Sequence, residues 1–217
     1  GVFLNKPFPV ISNIVEDDTG NLFLCSEGDG LIYYNVKTKT YRIFRADENN
    51  PNSLSNDNIK AVYFDRKARE LWLATHLGGL CVLNVAGGRF EQFRQIKPEW
   101  SQTNILSAIQ PYGNNLIIGT HGGLFLFDRK TRQFTLFSAQ LHKKLNFIQD
   151  AKIDKSNHLW VAGFNGVYKY NLKNGKIESY FFNANDSTSL SNNNASKILI
   201  DSKSRVWIGT SGGGVNL

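Results

Sequence analysis

The sequence predicts an all-β fold, a β-propeller of four-stranded antiparallel blades. Three observations carry it: a repeat in the mid-forties, strand periodicity inside each repeat, and turn residues at matching offsets. Five stretches align, LFLCSEGDGLIYYN from Leu22, LWLATHLGGLCVLN from Leu71, LIIGTHGGLFLFD from Leu116, LWVAGFNGVYKYN from Leu159 and VWIGTSGGGVNL from Val206; their starts lie 49, 45, 43 and 47 residues apart. Paired-helix solenoids and propeller blades share such a period, so the pattern inside the unit decides.

Each unit opens with a short apolar strand A, Asn13 to Glu16, Ala61 to Phe64, Ala151 to Ile153 or Lys197 to Ile200, followed in four units by Asp17, Asp65, Asp154 or Asp201. These runs are too short for helices. Polar turns come next, as in Asp-Asp-Thr-Gly-Asn, where Asp, Asn and Gly supply side-chain-to-backbone bonds and positive φ. Strand B is rich in Trp, Leu, Val and Ile and closes on a small residue at Cys25, Ala74, Gly119, Ala162 and Gly209. Glycine-bearing turns lead into an alternating strand C, and a second alternating run, such as Phe90-Glu-Gln-Phe-Arg or Ile177-Glu-Ser-Tyr-Phe-Phe, supplies strand D. Four such strands joined by short hairpins describe a propeller blade. The strand B residues Phe23, Trp72, Ile117, Trp160 and Val206-Trp207 are expected as buried core between blades.

The strand A to B signature Ile-Leu-Ile-Asp-Ser-Lys-Ser-Arg-Val-Trp-Ile-Gly-Thr, the Gly-Gly-Leu or Gly-Val turns, and the linkers Asn-Pro-Asn-Ser-Leu-Ser-Asn-Asp-Asn and Asp-Ser-Thr-Ser-Leu-Ser-Asn-Asn-Asn resemble the two-component regulator propeller repeat. The resemblance covers nearly the whole chain. The third unit departs from it, with Pro111-Tyr-Gly-Asn-Asn in place of the Asp turn and Ile117 in place of Trp. The resemblance implies the periplasmic sensor region of a hybrid two-component histidine kinase, with an oligosaccharide ligand, no cofactor, and the remainder of the parent receptor and a homodimer among its partners. It also implies a larger ring of about seven blades. One propeller segment, 1–217, is then expected to hold whole repeats at roughly 10–57, 58–103, 104–146 and 147–193 and a partial one at 194–217. The rival reading is a closed five-bladed ring in which Val2 to Asn5 supplies the fifth strand D.

With 41% hydrophobic and 20% charged residues the composition is that of an ordinary globular domain, and no apolar run approaches the roughly 20 residues a spanning helix needs. The positions of Cys25 and Cys81 in different units favour buried free thiols. A net charge of +7 attracts anions. The Lys and Arg residues are scattered and no nucleic-acid module signature is present, so the charge points away from nucleic acid. It suits a sulfated or uronate-containing glycan, or it serves solubility alone. His76, His121, His142 and His158 lack metal spacing, no nucleophile elbow accompanies them, and the once-per-blade Asp reads as a turn cap. No catalytic or metal-binding residue is therefore assigned, and the chain reads as a non-enzymatic sensor. A propeller lyase or glycosidase and a protein-interaction scaffold are the alternatives.

A meander places the B to C turns and the D to A linkers at one end of every blade. There the candidate ligand residues are His76, His121, Phe164 and Ser211 from the turns, and Trp100, Lys143 and Lys144 from the linkers. Aromatic faces stack on sugar rings, while His, Ser and Lys offer hydrogen bonds and countercharge. Leu54-Ser-Asn and Leu190-Ser-Asn, by contrast, read as linker anchors.

Overall fold

A computed structural model describes residues 9–94, 103–145 and 147–217. The chain forms five antiparallel sheets, four of four strands and one of three, each in meander order, and these are the blades of a β-propeller. Blade 1 comprises β1 (Ile11–Glu16), β2 (Leu22–Ser26), β3 (Leu31–Asn35) and β4 (Thr40–Phe44). Blade 2 comprises β5 (Ile59–Asp65), β6 (Glu70–Thr75), β7 (Gly79–Asn84) and β8 (Arg89–Phe93). Blade 3 follows with β9 (Leu106–Tyr112), β10 (Asn115–Thr120), β11 (Gly123–Asp128) and β12 (Gln133–Leu136), then a single helical turn, α1 (Ala139–His142). Blade 4 has β13 (Ile148–Ile153), β14 (His158–Gly163), β15 (Gly166–Asn171) and β16 (Ile177–Tyr180); blade 5 has β17 (Ala195–Ile200), β18 (Val206–Thr210) and β19 (Gly214–Asn216). The polypeptide groups into two compact units, the first holding blades 1 and 2 with Asn104–Ile109, the second holding Gln110–Leu217.

Strand A starts earlier than its apolar run. In four blades the pairing with strand B shifts register at the same place, Ile11/Asn13, Ile59/Ala61, Ile148/Asp150 and Ala195/Lys197. Such a bulge bends the strand and interrupts the alternation by which strands are read. Its polar residue is used: the Ser12 hydroxyl donates to the Ile59 carbonyl at 2.6 Å, and that of Ser196 to the Gly209 carbonyl at 3.2 Å.

The recurring Asp caps the A to B turn as its position implies. Asp17 Oδ1 accepts the Thr19 and Asn21 amides at 2.8 and 3.0 Å, Asp154 Oδ1 those of Ser156 and His158 at 2.8 and 2.9 Å, and Asp201 Oδ1 those of Lys203 and Arg205 at 2.9 Å each. The second carboxylate oxygen takes a donor from the neighbouring strands, the Tyr33 hydroxyl at 2.9 Å, the Trp160 indole at 2.9 Å or the Trp207 indole at 3.0 Å. One side chain therefore fixes both the turn and the ring that follows it.

In the first unit Phe23, Leu31, Leu54, Leu71, Leu73, Leu83 and Phe90 form one buried cluster spanning blades 1 and 2. In the second, Ala162, Val167, Leu190, Ala195, Ile198 and Ile208 do the same for blades 4 and 5. The linker leucines Leu54 and Leu190 are thus core residues. Ser55 and Ser191 beside them bond the hydroxyls of Thr75 and Thr210 at 3.2 and 3.1 Å. Of the strand B residues expected as core, Phe23, Trp72 and Ile117 are fully buried. Trp160, Val206 and Trp207 are only half-buried, which corrects the expectation that they are buried, although Trp160 and Val206 still pack against the cluster of blades 4 and 5. The Trp160 ring stacks within its own blade on Tyr180, at 5.6 Å, and borders an open groove. Cys25 and Cys81 are free and buried, and burial pushes both thiols up to about 12.

Candidate functional site

At one end of each unit the B to C turns are bonded to the D to A linkers. The Gly28 and Gly30 amides donate to the Asp57 carbonyl at 3.1 and 3.0 Å, His76 N–H to Asn58 at 2.9 Å and Gly79 N–H to Asn104 at 3.2 Å. In the second unit Phe147 N–H donates to the His121 carbonyl at 2.9 Å, Gly166 N–H to Asn193 at 2.7 Å and Ser211 N–H to Asn194 at 2.8 Å. These bonds set the turn and linker side chains side by side.

On the first unit this end is charged and internally paired. Arg45 bridges Asp29 at 2.9 Å and Asp57 at 3.5 Å, Lys60 meets Glu27 at 2.9 Å, and Asp57 also accepts the Ala46 amide at 2.7 Å. The Asp29 bond, ahead of the charge of Asp57, holds the Arg45 guanidinium above its ordinary value. Such exposed pairs shape a loop more than they stabilise a fold. His76 is half-buried here, next to an exposed Leu77 whose φ is +66°.

The second unit presents aromatic rings instead. His121, from the β10–β11 turn, lies 5.3 Å from Phe147, and Phe147 stacks on Phe164, from the β14–β15 turn, at 5.4 Å with 9° between ring planes. Phe164 is 45% exposed, so the pair is partly open to solvent. Phe147 holds φ at +49°, an uncommon conformation for a bulky side chain that costs on the order of 1–3 kcal/mol. Its backbone bond to His121 helps hold it there.

Lys143 and Lys144 are exposed and follow α1, whose N-cap Ser138 accepts the Leu141 amide. His142, between the helix and these lysines, turns inward and sets its ring 6.1 Å from Phe125, edge to face. Gly123 is needed beneath it, since a Cβ there would overlap the imidazole. Among the described residues the buried His142 Nδ1 has no hydrogen-bond partner.

Of the residues singled out from the sequence, His121 and Phe164 are brought together through Phe147. Lys143 and Lys144 lie in the linker that carries Phe147, Ser211 is exposed and donates its backbone amide to the Asn194 carbonyl, and His76 belongs to the other unit. Trp100 and Val2 to Asn5 lie outside the described residues. Phe147 was not among them. It fills the last linker position before strand A, where two other repeats place Asn58 and Asn194, and that contrast was its only signal. Among the described residues no group of three or more His, Cys, Asp or Glu side chains is placed to hold a metal ion.

Residues 189–212 match the family model described as two component regulator propeller. Histidine kinase P4 of Formosa agariphila is 33% identical over 159 residues, 70% of this chain, which spans 11% of that protein's length. The extracellular domain of a putative one component system of B. thetaiotaomicron superposes with a TM-score of 0.79 at 22% identity, over 98% of this chain and 28% of that one. A catalytically inactive virginiamycin B lyase from Staphylococcus aureus, solved with quinupristin, superposes at 0.67 with 10% identity, over 98% of this chain and 71% of that one. Repeat signature, blade topology and these likenesses agree: residues 189–212 carry a two-component regulator propeller repeat, and the other blades share its strand order.

Proposed function

We propose that this chain is an extracytoplasmic, periplasmic ligand-sensing segment of a hybrid two-component receptor, and that its ligand is an oligosaccharide held at the turn and linker end of the second unit. The observation that carries the reading is the parallel Phe147–Phe164 pair with Phe164 half open to solvent. A flat aromatic face offers the C–H face of a pyranose ring a desolvated surface, and His121 beside it adds a polar edge. The strained backbone of Phe147 supports it further, because strain of this kind gathers at ligand clamps. The 33% identity with a histidine kinase supports a place in a larger receptor, whose remaining polypeptide is then a partner; a second copy is the other partner of this reading.

Calorimetry against a panel of neutral, sulfated and uronate-containing oligosaccharides tests the proposal. At least one is expected to bind without turnover, and Phe164→Ala to weaken it by about tenfold, the loss of a stacking contact on the order of 1–1.5 kcal/mol. Product formation in the same mixtures would replace the sensor with an enzyme. Binding that is indifferent to Phe164→Ala would move the site elsewhere.

A further inference from the structure

The Lys and Arg residues, scattered along the sequence, are gathered by the fold. Residues 110–217 carry thirteen of them against six Asp and Glu, and eight of the thirteen lie in the A to B and C to D turns of blades 3 to 5. Because the B to C turns and linkers of these blades are bonded together at one end of the second unit, the A to B and C to D turns share the opposite end, away from the aromatic pair. There Arg129 Nε donates to the Asn114 carbonyl at 2.7 Å in blade 3, and Leu172 N–H to that of Asn157 at 3.0 Å in blade 4. Blades 4 and 5 are joined where the Ile198 amide donates to the buried Asp150 carboxylate at 3.0 Å.

Little negative charge reaches this face. Asp128 Oδ1 accepts the Lys130 and Thr131 amides at 2.8 and 2.9 Å, and Asp154 and Asp201 cap their own turns. Arg205 closes on Asp201 at 2.6 Å, and Lys176 on Glu178 at 3.1 Å. Lys130, Lys155, Lys173 and Lys203 remain. All four are exposed, and among the described residues none of them forms an ion pair. Each sits in a closed hairpin, so its exposure owes nothing to an unpaired strand edge. Tyr112, where β9 enters its turn, is exposed at the same end.

A discrete anion is held by converging donors, above all by the planar fork of arginine. Here Arg129 and Arg205 are occupied by Asn114 and Asp201, and the unpaired charges are ammonium groups on flexible stems, carried by three different blades. Point charges spread in this way match a plane of negative headgroups, since each lysine near an anionic bilayer adds its own attraction without a common focus. A tyrosine among them suits the same boundary, with an apolar ring and a polar tip. We infer that the A to B and C to D turn end of the second unit docks on an anionic lipid surface, leaving the aromatic pair on the end that faces away from it. The docking is independent of what that pair binds.

Co-sedimentation with vesicles near physiological ionic strength tests this, since charges more than about 8 Å away are then largely screened. The chain is expected to bind vesicles of equal parts phosphatidylcholine and phosphatidylglycerol and to leave pure phosphatidylcholine unbound. Two double variants remove the same charge from opposite ends. Lys155→Gln with Lys203→Gln is expected to weaken binding by at least about tenfold, at roughly fivefold per lysine. Lys143→Gln with Lys144→Gln is expected to change it by less than about twofold. Equal losses from the two variants, equal binding to pure phosphatidylcholine, or no binding to the mixed vesicles would each overturn the inference. Soluble polyglutamate that displaces the mixed vesicles through Lys155 and Lys203 would overturn it too, and would assign the face to an acidic polypeptide.

Discussion

Asp154 shows how much one side chain settles in this fold. Burial pushes its carboxyl up, but the His158 and Ser156 amides and the Trp160 indole together outweigh that and hold it below the ordinary value. The folded state therefore prefers the ionised carboxylate. Its contribution is full above the unfolded aspartate value of about 3.9 and is lost as pH falls through the lower folded one. Asp154→Asn is accordingly expected to lower the urea midpoint at about pH 7, and the gap from wild type to narrow steadily toward about pH 2. A gap that stays constant across that range would show that the carboxylate's charge is not what the turn uses. This Asp was legible because its position recurs, and so was its capping role. Its bond to the strand B indole was not, since an Asp six residues before a Trp carries no sign of which oxygen faces which donor. The candidate site divides in the same way. His121 and Phe164 sit in turns whose place the repeat fixes, whereas Phe147 reaches them through a left-handed backbone that no propensity announces.

At the scale of strands and turns, strand C of blades 1, 2 and 4 begins where a glycine meets a carbonyl of the neighbouring strand D. Gly79 holds φ at +77° and Gly214 holds +78°, so alanine is strained at both, by about 1–2 kcal/mol. Only at Gly79 would the new methyl also collide with a strand D carbonyl, that of Phe93, and overpacking of that kind adds about 1–3 kcal/mol. Gly79→Ala is therefore expected to destabilise clearly more than Gly214→Ala in chemical unfolding, and equal losses would mean that backbone conformation alone sets the requirement. The hairpins themselves were readable in the sequence because turn residues and alternation agree in every repeat. The strand A starts were not: a bulge at the same point in four blades places Ser12, Lys60, Gln149 or Ser196 where the alternation expects an apolar side chain. The helical turn α1 was missed for a related reason, being a single turn closed by Ser138 with no room for a helical period.

For the molecule as a whole, the net charge of +7 raises the question of whether the part of it at the turn and linker end serves the ligand or only solubility. The first unit pairs its charges at the turn and linker end, with Arg45, Lys60, Asp29, Asp57 and Glu27 joined in bridges. In the second unit Lys143 and Lys144 are exposed in the linker that leads to Phe147. If the ligand is a sulfated or uronate-containing glycan, these two lysines add a long-range attraction to the stacking contact, and the two parts respond differently to salt. Exposed charges more than about 8–10 Å apart are largely screened near physiological ionic strength. The double variant Lys143→Ala, Lys144→Ala should therefore weaken an anionic oligosaccharide several-fold at low salt, and the loss should shrink as salt rises. Phe164→Ala should cost the same at both, because contact between a ring and a sugar face is not a long-range charge effect. Titrations at low and high salt with both variants check this directly. Neutral oligosaccharides that bind while sulfated and uronate ones do not would assign Lys143 and Lys144 to solubility and leave the aromatic pair as the determinant of recognition.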